Sequence, residues 1–409
     1  MSQAWELLHR NRAFRAYWSA RLLSLSGDQV GRVALLVLAY RRGHNGWAVS
    51  ALLLAMTAPY FFGPLAGAVS DRFDPRRLMI ICDVGQTAIF VALALAPLSY
   101  TAVIALVGLT SVLAALFQPA GRSRLPALVE TDSLQTANGL LGLGLNTGRA
   151  AGPLAGGLLV AVVGPERALL VDAASFAVSA LLLRALPARD RAPGTMQTRL
   201  GYVAGLRAGL DTLWRHRVAR AVTGALFLTV AFASLDNVAL VFLANDALGG
   251  GSVLFGALTA AYGIGMAVGP GLLLLVSSRV SAFVVLVLGC GLNGVGNVLT
   301  GVAVAAGLAG AGQAAAGVGN GLEIVATDTV IQQRVQADRL GTVFGTIYTA
   351  PMMASGVAYL AGGPLLNAVG PRLLFVISGV GILAVVATMP FLLGRTGWRP
   401  DTVVGRPAR

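Results

Sequence analysis

Runs of about 20 apolar residues, repeated along the whole chain with arginines gathered between them, limit what this sequence can fold into more than any other feature. Twelve can be read, at 17–40, 49–70, 78–98, 101–118, 138–163, 168–186, 219–243, 254–276, 280–303, 306–327, 344–366 and 372–393. That length matches the hydrocarbon thickness of a bilayer. Charged residues make up only 11% of the chain, well under the roughly 25% of soluble domains, so burial in lipid accounts for the runs better than a water-soluble core. In lipid each backbone polar group must be satisfied within its own segment, and only helices and closed barrels manage this. Runs that are apolar throughout, rather than alternating, select helices. The expectation is an all-α integral membrane protein with twelve transmembrane helices in two pseudo-symmetric six-helix bundles.

The basic residues set the orientation. All 30 are arginines, and the net charge is +13. Arg10, Arg12, Arg15, Arg72, Arg76, Arg77, Arg122, Arg124, Arg279, Arg334, Arg339 and Arg395, with the arginines of 187–218, fall on one side of the twelve spans. Arg41, Arg42, Arg167 and Arg372 fall on the other. Arginine enrichment marks the cytoplasmic side, so both termini are expected inside a cell membrane. Short clusters between spans are the wrong arrangement for a polyanion, and nucleic acid is not an expected partner. The first 18 residues are basic and amphipathic, without a small-residue cleavage site, and read as a cytoplasmic lead-in helix. The alanine-, glycine- and arginine-rich composition points to a bacterial source.

Enzyme chemistry finds little support. Cys82 and Cys290 lie inside spans, and His9, His44 and His216 are scattered, so no metal or disulfide framework is expected. Gly289, Gly291 and Gly294 fit a dinucleotide pattern but sit in a span with no strand before them. A phosphate-binding loop of the Walker type needs lysine, and the chain has none. No cofactor is expected, and no enzymatic activity.

The sequence also repeats. Gly63-Pro64 matches Gly269-Pro270 at an offset of 206, as Val129, Asp132, Leu134 and Gly139 match Val335, Asp338, Leu340 and Gly345. Ser-Gly-Asp28 resembles Ser-Leu-Asp236 at an offset of 208. Two parallel six-helix halves follow, at 1–186 and 219–393, joined by a cytoplasmic linker at 187–218 with an amphipathic helix and followed by a tail at 394–409.

One span is crowded with Gly139, Gly148, Gly152, Pro153, Gly156 and Gly157, with Arg149 in its middle. A soluble helix would be broken by that composition, whereas a membrane helix uses small residues for close packing. An arginine at that depth is costly in lipid and should face a cavity or a partner. Between the second and third spans lies Gly67-Ala-Val-Ser-Asp71-Arg72-Phe-Asp74-Pro75-Arg76-Arg77.

This loop resembles the G-x-x-x-D-R-x-G-x-R-R signature of the major facilitator superfamily, with Asp74 standing where the glycine is usual. The glycine span resembles the fifth-helix signature of that superfamily's drug:proton antiporters, G-x8-G-x3-G-P-x2-G-G, at every fixed position. Stretches such as LFQPAGRSRLPALV and LLVDAASFAVSALLL are similar to the branch that holds macrolide-efflux and enterobactin-export proteins. The resemblance implies the major facilitator fold and a monomer. It implies that Gly67, Asp71, Arg72, Arg76 and Arg77 help lock the halves in the outward-facing state, and that the glycine span prevents proton leak. It further implies proton-driven export of hydrophobic or amphipathic small molecules, such as antibiotics, natural products or siderophores. A nutrient importer or uniporter of the same fold is the alternative.

Proton coupling requires an acid able to shed its charge inside the membrane. Asp28 lies near the middle of span one and Asp236 near the middle of span seven. Arg32 is one turn from Asp28 on the same helix face, and Arg149 lies at similar depth on span five. Protonation of Asp28, or of Asp236, would weaken an Asp–Arg pairing and release a conformational change; a permanently ionised structural pair is the alternative. Glu323 on span ten is a third candidate, while Asp83 and Asp172 on outer spans are expected to be structural. Gln118, Asn146, Asn293, Asn297 and Asn320 are candidates either for substrate contact or for fastening helices together.

Overall fold

The computed structural model describes residues 3–70, 72–187, 217–273, 280–334 and 340–394. Among them are helices α1 (Gln3–Arg10), α2 (Arg12–Gly43), α3 (Gly46–Thr57), α4 (Gly63–Ser70), α5 (Pro75–Leu95), α6 (Tyr100–Arg124), α7 (Leu134–Val163) and α8 (Pro165–Leu183). They are followed by α9 (Arg217–Ala233), α10 (Leu235–Phe242), α11 (Gly251–Leu273), α12 (Ala282–Val302), α13 (Ala306–Arg334) and α14 (Leu340–Gly394). No strand occurs among the described residues.

Each of the twelve expected spans coincides with helical backbone over its described residues, to within a few residues at its ends. Span two is broken, with a 3-10 turn at Ala58–Phe62 between α3 and α4. Span seven is broken between α9 and α10 and closes on a π turn at Leu243–Ala247. Seven stretches among the described residues are by themselves long and apolar enough to cross a membrane, one of them, Pro351–Met389, reaching across two expected spans. The expected spans that fall short of that measure are the broken α3–α4 stretch and α7, α8 and α13. The last three carry Arg149, Asp172 and Glu323 respectively.

Local sequence explains where the helices begin. Asn11 caps α2, its Oδ1 accepting from the Phe14 amide at 2.9 Å while its Nδ2 donates to the Leu128 carbonyl at 2.6 Å. Ser99 and Ser281 cap α6 and α12 in the same way. Gly164 ends α7 at φ 85° and Pro165 opens α8, a reversal that needs a residue without Cβ followed by one already set for a first helical turn. Gly370 and Pro371 repeat this inside α14, at φ 77° and at the same offset of 206, and so divide the eleventh span from the twelfth.

The described residues form two compact units. One holds those within 1–44, 51–198 and 251–260, and the other those within 45–50, 199–250 and 261–409. In the first, Phe14, Tyr17, Met79, Leu183 and Leu186 are buried together, and the Tyr17 hydroxyl donates to the Gly121 carbonyl at 2.9 Å. Arg124, counted above as part of a cytoplasmic cluster, is buried in this unit with its guanidinium donating to the Pro187 carbonyl. In the second, Leu286, Cys290, Ile382 and Met389 are buried together. Large side chains such as Ile81, Leu95, Leu143, Val162, Leu288 and Leu360 are exposed on the outer helix surfaces, where hydrocarbon rather than water would be their natural solvent.

Candidate functional site

In the first unit α8 packs against both α2 and α5, and each of the three helices carries an aspartate. Asp28 on α2 is partly exposed, whereas Asp83 on α5 and Asp172 on α8 are fully buried. The close approach of α8 to α2 depends on Gly27 and Gly31, which flank Asp28 one turn apart: a Cβ on either would run into the Asp172 carboxylate. Ser175 donates to Asp172 Oδ1 at 3.2 Å. Oδ2 of Asp172 has no hydrogen-bond partner among the described residues. The same holds for both oxygens of Asp83, which Ser179 approaches without hydrogen-bond geometry.

The cation whose charge acts on Asp28 is Arg21, two turns earlier on α2, where the one-turn spacing had pointed to Arg32. Arg21 is held by other contacts: its Nη2 reaches Gln118 Oε1 at 3.5 Å, and its guanidinium stands over the Phe117 ring at 5.0 Å. Arg32 and Arg149 are both exposed, and each lies in the field of the other. Tyr60, on the 3-10 turn that breaks span two, lies in the field of Asp28, Arg21 and Arg32 together. The structure thus groups Asp28 with Arg21, Tyr60 and Asp172, and Arg32 with Arg149. Among the described residues the ion pairs within 4.0 Å are peripheral ones, Arg10–Glu6 at 2.8 Å and Arg77–Asp74 at 3.9 Å.

The second unit holds a comparable group. Asp236 is partly exposed and accepts from Asn237 Nδ2 at 2.8 Å. Glu323 on α13 is 3% exposed, with Cys290 and Asn293 of α12 beside it and its Oε2 without a hydrogen-bond partner among the described residues. Tyr262 on span eight lies in the field of both acids and of Tyr359. In each unit, then, a tyrosine of the second span lies in the field of the aspartate of the first. Asn293 and Asn297 are 1% and 0% exposed and bond to each other at 2.9 Å, a fastening within α12 rather than a surface offered to a ligand.

The loop between spans two and three explains its own departure from the family pattern. Asp74 has φ −63° and ψ 120°, a conformation that needs no glycine, and its Oδ1 accepts from the Arg76 amide at 3.0 Å. It caps α5, with Pro75 at the first helical position. Arg72 is exposed and its amide donates to the Val69 carbonyl at 3.0 Å. A Cβ on Gly67 would meet nothing within 4 Å, and Asp71 lies outside the described residues. Arg76 donates to the Arg184 carbonyl, tying this loop to the end of α8.

On α7, Gly148, Gly152 and Gly156 face α2: Ser26 lies near Gly148, the Gln29 side chain fills the space over Gly152, and Val30 and Val33 cover Gly156. Gly157 and the Pro153 carbonyl instead meet Ser252 and Gly256 at the start of α11, whose residues 251–260 belong to this same unit. Ser252 Oγ donates to the Gly157 carbonyl at 3.2 Å. Gly139 stands in open space.

The sequence profile of the Major Facilitator Superfamily matches residues 33–350. The chain belongs to that superfamily. It is 25% identical over 398 residues to the MFS-type transporter YfiS of Bacillus subtilis, covering 91% of each chain. It is also 32% identical over 234 residues to the multidrug efflux pump Tap of Mycobacterium tuberculosis, a match covering 54% of this chain and 56% of that one. The enterobactin exporter EntS of Shigella dysenteriae is 29% identical over 216 residues, 50% of this chain and 52% of its own. The matches to Tap and EntS therefore span about half of each protein. Among solved structures, the nucleoside transporter NupG aligns with a TM-score of 0.73 at 12% identity, covering 92% of this chain and 98% of that one. A bacterial homologue of the human lysosomal transporter Spinster aligns at 0.68 and 18%, covering 95% and 99%. At such identities these two carry the fold alone. As a major facilitator the protein is a multi-pass membrane transporter of small molecules, not an enzyme.

Proposed function

We propose that this major facilitator exports hydrophobic or amphipathic small molecules in exchange for protons across a bacterial cell membrane, working as a monomer with both termini in the cytoplasm. One observation supports the coupling above all. Asp28 is a carboxylate inside an apolar helix bundle, partly exposed and in the field of Arg21, with no direct ion pair among the described residues. An acid so placed can take a proton from water and give it back, and each change alters the charge balance with Arg21. Asp236 is the counterpart of Asp28 in the second unit, and Glu323 is a further candidate acid there. The partial likeness to Tap and EntS, both named for outward transport, supports export over import.

In the same reading Gly67, Asp71, Arg72, Arg76 and Arg77 lock one conformational state. Gly139, Gly148, Gly152, Pro153, Gly156 and Gly157 keep span five close to its neighbours, so that no proton leaks past. Arg32 and Arg149, exposed and in one another's field, add cavity charge to the proton-coupling group.

The test is a resistance profile. Cells that overproduce the chain should tolerate several toxic amphipathic compounds, accumulate less of each, and lose that advantage when an uncoupler collapses the proton gradient. Protection that survives the uncoupler would remove proton exchange from the account. Increased uptake of a nutrient on overproduction would turn it to the importer alternative.

A further inference from the structure

We infer that Asp28 and Asp172 hold one proton between them, Asp28 acting as its port to water and Asp172 as a buried second seat. Three features of the geometry carry this. Asp172 is 0% exposed, and its Oδ2 lacks any hydrogen-bond partner among the described residues. Its carboxylate lies in the notch made by Gly27 and Gly31, directly against the turn of α2 that bears Asp28. Asp28 is partly exposed, so the pair has a wet end and a dry end.

An ionised carboxylate with an orphan oxygen in such a place is expensive, and two ionised carboxylates in one another's field are more so. A single proton relieves both costs. The O–H of one carboxyl donates to a carboxylate oxygen of the other, and one negative charge remains for Arg21 to balance. On release the proton leaves from Asp28 to water, and both groups are then charged.

The ionisable surroundings are consistent with this assignment. From α2 the neighbours are Asp28 and, behind it, Arg21; from the turn of span two, Tyr60; from α5, Asp83; on α7 the charged side chain is Arg149, which acts on Arg32. On α8 itself Ser175 donates to Oδ1 and leaves Oδ2 for the shared proton. The glycines have a role here too. With a side chain at either position, α2 could not come near enough for the two acids to act as a unit.

The consequence for transport rests on the exchange reading above, whereas the proton sharing is tested without it. Infrared difference spectra of the purified full chain in lipid, taken at pH values on both sides of neutrality, report protonated carboxyl groups directly. The wild type should show a protonated-carboxyl band that disappears as pH rises. Asp28→Asn and Asp172→Asn should each move a component of that band in frequency and in midpoint, and the double variant should lack that component while the absorption of the buried Asp83 and Glu323 remains. A spectrum of Asp172→Asn that superimposes on the wild type at every pH would overturn the inference. Should Asp172→Asn fail to fold, Gly31→Ala serves in its place. It keeps both acids but puts a methyl group where Oδ2 lies, so its band should move as well, and an unmoved band would again refute the sharing. Uncoupler-insensitive export would remove the exchange reading and leave this infrared result standing.

Discussion

Gly157 and Gly256 meet backbone to backbone: the Gly256 Cα stands 3.1 Å from where a Cβ on Gly157 would be. The neighbouring contact of Gly157 with Ser252 has a counterpart in the second unit, where Gly363 meets Gly46. Gly363 and Ser252 lie 206 positions after Gly157 and Gly46. The internal repeat is thus kept in tertiary contacts as well as in loops. Each contact is between small residues because helices approach this closely only where side chains are missing.

Gly157 should therefore tolerate no bulk. Gly157→Leu is expected to reduce export at least tenfold and to destabilise the protein by about 1–3 kcal/mol, as overpacking does. Gly139→Ala, in open space, should leave both within about twofold of wild type. Accumulation assays and thermal melting of the purified variants check this; equal effects at the two positions would contradict it.

Asp74 acts as a helix cap in the place where the family usually has glycine. Asp74→Ala should cost about 1 kcal/mol of stability, and Asp74→Gly only a few tenths, because glycine is a tolerable cap. A melting series in detergent measures the difference.

The Asn293–Asn297 pair should behave as a fastening. Asn297→Leu is expected to lower stability by about 0.5–1.5 kcal/mol, the usual net worth of an intramolecular hydrogen bond. Export of every compound in the resistance profile should fall in parallel with folded protein. A change confined to one compound would instead point to substrate contact.

Arg21 should govern Asp28 more than Arg32 does. In Arg21→Gln the pH at which export is half-maximal should move measurably, since a nearby cation favours the charged form of a carboxylate. Arg32→Gln should move it less. Export measured against external pH in the two variants separates them.

The fold was legible because its determinants are local. Apolar length and the Gly-Pro repeats are read along the chain, and Gly164 and Gly370 punctuate both halves alike. The candidate site was legible only in part. Asp28 stands out as an acid in an apolar run, but a one-turn rule looks along a single helix and so chose Arg32. Arg21 is carried to its place by Gln118 and Phe117 of α6, which only packing reveals. That Asp172 lies against the turn bearing Asp28 is not read from either residue alone, although Gly27 and Gly31 around Asp28 mark the close approach of another helix. Asp71 and the linker arginines lie outside the described residues, so the lock stands on the motif.

Proton flux in liposomes tests the central claim most directly. The purified protein is reconstituted with a pH-sensitive dye inside, a proton gradient is imposed, and a compound from the resistance profile is added. Wild-type protein should move protons only when the compound is present, and Asp28→Asn should reduce that flux at least tenfold while remaining folded. Compound-driven proton flux undiminished in Asp28→Asn would contradict the account.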